Sequence, residues 1–93
     1  MKLKLKDDID FKELDKLDFR HEHCDEIMEY LNYYTYTLTD DKYNETLGEI
    51  SIDMKSRILN IWISDDCTED DVDKMYIKLY DLIQTNFIEK AGE

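Results

Sequence analysis

Six carboxylates fall within nine consecutive positions: Asp65, Asp66, Glu69, Asp70, Asp71 and Asp73. Side chains of this type at this density could hold a hard cation, move protons, or present a field of negative charge to a cationic partner. A calcium loop wants oxygen ligands at alternating positions, a central glycine and a distal bidentate Glu, and Cys67 and Val72 interrupt the series. General acid or base work needs a carboxyl with a raised pKa in a closed pocket, whereas a run this charged belongs in water. Glycine occurs only at Gly48 and Gly92, so there is no phosphate-cradling loop, and no serine sits in a nucleophile motif. The chain therefore reads as a non-enzyme with no catalytic residue. Two readings of the acids remain. In the plainer one, Thr68 caps a helix with Asp71 three residues on, and Glu69, Asp70, Asp71 and Asp73 load the first turns where the helix dipole favours negative charge. In the sharper one they form a negative lobe that docks into a basic groove of another protein, with Asp40 and Asp41 as a second lobe where the fold brings that turn near.

His21, His23 and Cys24 stand close together, and Cys67 lies far along the chain. They are zinc ligands by type, but His-x-His-Cys is not a finger or ribbon spacing, and a fourth ligand would have to come from elsewhere. The plainer reading is a loop with reduced thiols, so neither a metal nor another cofactor is expected.

Tyr30 to Leu38 carries no charge, and its Tyr and Thr residues favour a pleated, half-buried surface. Tyr falls on both faces of this strand. Either the second set merely shields the sheet, its hydroxyls staying wet, or Tyr33 or Tyr34 joins Trp62 in an exposed aromatic patch suited to a partner or a second copy.

These residues sit in a chain of 93, with 24 Asp plus Glu against 12 Lys plus Arg, a formal net charge of -12. That length gives one domain, residues 1–93, because a second core would bury too little apolar surface. The acidity argues against direct contact with nucleic acid, whose phosphates are gripped by Lys and Arg. No stretch approaches the ~20 apolar residues of a membrane span, and the Lys-rich start runs into Asp7 and Asp8 rather than an apolar signal region, so a cytoplasmic setting is expected. The mean hydropathy of -0.68 would suit a disordered chain, but one Trp, seven Tyr and three Phe in periodic runs do not.

The elements follow from periodicity. Lys2 to Lys6 alternates strictly, predicting a short edge strand. Asp10 caps a short helix over residues 11–19 with Phe11, Leu14 and Leu17 on one stripe. Residues 20–29 sustain neither period and read as loop leading into the Tyr-rich strand. Leu47 to Met54 and Ile58 to Ile63 predict an antiparallel hairpin, with Ile50, Ile52, Leu59, Ile61 and Ile63 facing the core and Trp62 and Ile58 turned away. A helix over about 69–88 carries Val72, Met75, Tyr76, Leu79, Leu82, Ile83 and Phe87 at helical spacing, leaving Asp70, Asp73, Lys74, Lys78, Asp81 and Thr85 outward. The fold class is α+β, ordered β-α-β-β-β-α, with helices on one face of a small antiparallel sheet.

The opening Lys-Leu-Lys-Leu-Lys-Asp-Asp-Ile-Asp-Phe-Lys-Glu-Leu and the closing Leu-Tyr-Asp-Leu-Ile-Gln-Thr-Asn-Phe-Ile-Glu-Lys resemble the ends of small proteins encoded by phages and prophages of low-GC Gram-positive bacteria. Residues 20–64 carry no such resemblance. It implies an anti-defence setting, including anti-CRISPR proteins that occupy the DNA-binding channel of a nuclease, and it brings no site residue with it. The expectation that combines it with the charge is an acidic inhibitor of a host nucleic-acid-binding protein such as a CRISPR effector nuclease, acting as a nucleic-acid mimic through Asp65, Asp66, Glu69, Asp70, Asp71, Asp73, Asp40 and Asp41. The alternative is an accessory module that forms a homodimer through Tyr34 and Trp62.

Overall fold

The computed structural model of the chain describes residues 2–24, 31–40, 42 and 45–91, with 23, 24 and 31 as backbone only. The fold is α+β. Its order is β1 (Leu3–Leu5), a 3-10 helix (Phe11–Leu17), β2 (Arg20–Cys24), β3 (Leu31–Asp40), β4 (Glu45–Asp53), β5 (Leu59–Ile63), α1 (Glu69–Gln84) and β6 (Ile88–Lys90). The strands β2-β3-β4-β5 make one antiparallel meander, and β1 pairs with β6 in a second antiparallel sheet. An antiparallel bridge between Lys4 and Ile58 joins β1 to the start of β5.

Both helices cover the same sheet face. Tyr34 pairs with Ile52, Tyr36 with Ile50 and Leu38 with Gly48, and the same face continues across β5 as Leu59, Ile61 and Ile63. The 3-10 helix covers the β3 side: Phe11 stacks on Tyr34 with ring centroids 5.3 Å apart, and the following Phe19 lies 6.1 Å from Tyr36. The long helix lies over β4, with Met75 against Gly48. Leu5, Leu14, Phe19, Ile50, Ile52, Met75 and Leu82 are enclosed almost completely. Such removal of apolar surface from water is the main favourable term in folding.

Four expectations change. Residues 20–24 form a strand rather than a loop: as the edge of the meander β2 buries little, so its charged residues mask the alternation; residues 25–30 lie outside those described. The helix predicted to reach 88 ends at Gln84, because Asn86 adopts a left-handed backbone (φ 67°) and Phe87 then leads into β6. Ile61 is exposed at the edge of the sheet while Leu59 is buried and Ile63 packs partly against the core. Tyr76 and Ile83 are also exposed, and Lys78 instead turns inward, its ammonium 4.8 Å from the Tyr36 ring and donating to the Leu17 carbonyl at 3.2 Å. The helix meets the sheet along the side that carries Met75 and Leu82, and Tyr76 and Ile83 lie about 100° around the axis from them, off that contact.

Candidate functional site

The acidic run occupies the junction between β5 and α1. Its entry is fixed by β4: the extra residue at the β3–β4 register shift is Leu47, whose carbonyl accepts from the Ser64 N–H at 2.8 Å and from the Cys67 thiol at 2.9 Å. Cys67 is thereby held half-buried and faces inward. Between these two residues the chain turns, with the Asp66 N–H donating to Ser64 Oγ at 3.1 Å. Asp65 and Asp66 stand at the tip of that turn, both exposed.

Thr68 then starts the helix with a complete capping box. The Asp71 N–H donates to Thr68 Oγ1 at 3.2 Å, and the Thr68 N–H donates to Asp71 Oδ2 at 3.0 Å. That second bond is the main reason the Asp71 carboxyl is held below its ordinary value; desolvation opposes it, and the Thr68 side chain and Lys74 assist. Asp71 is therefore committed to the helix start. Glu69, Asp70 and Asp73 are exposed, and among the described residues neither they nor Asp65 and Asp66 form an ion pair. The plainer and the sharper readings thus divide the run: one carboxylate caps, and five project into solvent.

The sheet register brings the β3–β4 end to the same place. Asp40 pairs with Glu45, and two residues farther along β4 Leu47 receives Ser64, so Asp40, Glu45, Asp65 and Asp66 all sit at one end of the meander. Asp40 is half-buried, its Oδ1 accepting from the Lys42 N–H at 2.8 Å. Asp41 lies outside the described residues.

The aromatic patch does not form as expected. Tyr34 is buried on the helix-covered face, between Phe11 and the stacked ring of His21 at 5.5 Å, because the 3-10 helix needs that face of β3 for its own Phe11. Burial, with added repulsion from Asp15 and Asp10, raises the phenol above its ordinary pKa. Trp62 is 53% exposed on the opposite face, paired with Glu49. Tyr33 shares that face but pairs with Asp53 and Glu22, two strands and four residues from Trp62, with Thr35, Ser51 and Glu49 between. The half-buried Tyr33 and the exposed Trp62 are corners of a polar surface, not one patch.

His21 Nε2 lies 3.1 Å from Asn32 Oδ1, which gives this ring a structural partner across the strand pair. Side chains of His23 and Cys24 lie outside the description. Among the described residues, no three His, Cys, Asp or Glu side chains come together as a metal site would require, and no helix is long and apolar enough to cross a membrane.

What sequence reasoning missed is the outer side of α1. Tyr76, Ile77, Tyr80 and Ile83 are between 45% and 60% exposed. The signal was available in the helical arc itself, since an apolar sector broad enough to include residues 76, 77, 80 and 83 exceeds the stripe one sheet contact buries. Compared with known proteins, the chain matches no family model, no curated protein and no solved structure.

Proposed function

We propose that the protein is a non-enzymatic, cytoplasmic inhibitor that binds a basic, nucleic-acid-binding surface of a host protein, such as a CRISPR effector nuclease, with its carboxylates standing where phosphates would. The observation that carries this reading is the solvent-facing set Asp65, Asp66, Glu69, Asp70 and Asp73, which has no ion-pair partner among the described residues and of which Asp65 and Asp66 share one sheet end with Asp40 and Glu45. A hydrogen-bonded turn and a capped helix set the backbone positions from which these charges project, so the ordering cost on binding falls on the side chains rather than on the chain. Their summed field steers a basic partner and raises its association rate.

The test is a pull-down against host nucleases and DNA-binding proteins, followed by titration of the captured protein with DNA as competitor. DNA and this protein are expected to exclude each other. Simultaneous binding of both would reject the mimic.

A further inference from the structure

The outer side of α1 is a second, unassigned surface. At 100° per residue, Glu69, Asp73, Tyr76, Tyr80 and Ile83 line one solvent-facing strip, with Ile77 beside it. The strip is acidic in its first half and apolar in its second. Lys78 fixes its orientation: that side chain reaches Leu17 and Tyr36 on the β3 side, and Tyr76 and Ile83 lie about 150° away around the axis, toward β5. The exposed Ile61 of β5 is on the same side of the sheet as α1. Four contiguous large side chains at roughly half exposure leave on the order of 400 Å² of mostly apolar surface uncovered, a size that on a monomer usually marks a binding site.

We propose that this strip of α1 binds a cationic amphipathic helix of the partner, whose apolar side packs on Tyr76, Tyr80 and Ile83 while its Lys or Arg residues meet Glu69 and Asp73. The inference rests on the reading that the partner is basic. Spacing of i, i+4 and i+7 for Tyr76, Tyr80 and Ile83 is that of anchors along one helix face, the arrangement by which one helix packs on another. Charge selects the occupant. Glu69 and Asp73 lie within the strip, whereas the helix cations Lys74 and Lys78 lie about 140° or more around the axis from its centre, so a second copy of this chain, also at -12, brings like charge to like.

The experiment uses the full chain and two synthetic helical peptides of equal length and charge, one patterned with Leu and Lys, the other with Ser and Lys. Both should bind at low salt through the carboxylates. Only the Leu/Lys peptide should stay bound at about 0.5 M salt, where exposed charges are screened, and it should shift the amide signals of Tyr76, Ile77, Tyr80 and Ile83. Tyr80→Ser combined with Ile83→Ser, both at exposed positions, should weaken the Leu/Lys peptide roughly tenfold or more, as loss of interface anchors does. Equal binding of the two peptides, or shifts confined to the Trp62 face, would overturn the strip while leaving the acidic reading standing. Failure of both peptides at low salt, or indifference to Asp70→Lys with Asp73→Lys, would overturn the acidic reading and this inference with it. A mass that rises with concentration and falls back in the Tyr80→Ser, Ile83→Ser protein would give the strip to a second copy and also reject the proposal.

Discussion

Met75 seats its thioether directly on Gly48: a β-carbon at Gly48 would lie 2.8 Å from Met75 Sδ and 3.0 Å from its Cε. This contact sets the height of α1 over β4, and with it the position of the capped acidic end of the helix. Gly48→Ala is expected to cost about 1–3 kcal/mol, because Met75 is enclosed and can yield only by displacing its neighbours. Urea unfolding measures it. Combining Gly48→Ala with Met75→Ala should cost less than the two single changes summed, and strict additivity would deny the contact.

Arg57 ties the N-terminal segment to the β4–β5 hairpin. Its guanidinium donates from one Nη to the carbonyls of Lys6 at 2.6 Å and Ile9 at 2.9 Å, and lies 4.7 Å from the centre of the Phe11 ring. Arg57→Ala leaves both carbonyls without that donor and should destabilise by about 1.5–3 kcal/mol. Arg57→Lys should recover only part, since an ammonium can donate to the carbonyls but lacks the flat guanidinium that lies over the Phe11 ring. Equal stability of Arg57→Ala and the parent in urea would contradict this role.

Acid should loosen the start of α1 through Asp71. Its folded-state pKa is depressed, chiefly by the Thr68 backbone N–H, so its contribution is present above the ordinary carboxylate value and is lost as pH falls through the folded-state value. Helical circular dichroism followed downward from neutral pH should decline there, and Asp71→Asn should flatten that decline. Identical acid limbs in the two proteins would refute it.

At the alkaline end Tyr34 acts with the opposite sign. Burial, seconded by Asp15 and Asp10, raises its pKa, so the folded chain holds the proton longer than the unfolded one. The contribution is complete below about pH 10, the unfolded value, and disappears as pH rises through the folded value. Tyr34→Phe should resist alkaline unfolding better than the parent; superimposable alkaline profiles would contradict the assignment.

Alternation and turn chemistry made most strands readable in the sequence, most clearly β4, which turns Ile50 and Ile52 into the core and Glu49, Ser51 and Asp53 the other way. Ile50 and Ile52 showed this directly, and Thr68 with Asp71 announced the helix start. Strand β2 was not readable, since an edge strand built from Arg20, His21 and Glu22 buries too little for a period to emerge. The Tyr-rich strand showed that both faces were aromatic but not which face the 3-10 helix would take; Phe11 decides it by stacking on Tyr34. The acidic run was visible as composition. Its division into the capping Asp71 and the projecting Asp65, Asp66, Glu69, Asp70 and Asp73 emerges only in the fold, as does the exposure of Tyr76 and Ile83, which depends on which side of α1 the sheet takes.

The most direct test of the central claim is the salt dependence of binding to a captured basic partner, measured for the parent protein and for Asp70→Lys combined with Asp73→Lys. The affinity is expected to fall steeply between about 0.05 M and about 0.5 M salt and to be abolished by the charge reversal while circular dichroism still reports the helix. Binding that ignores salt, or survives the reversal, would contradict it.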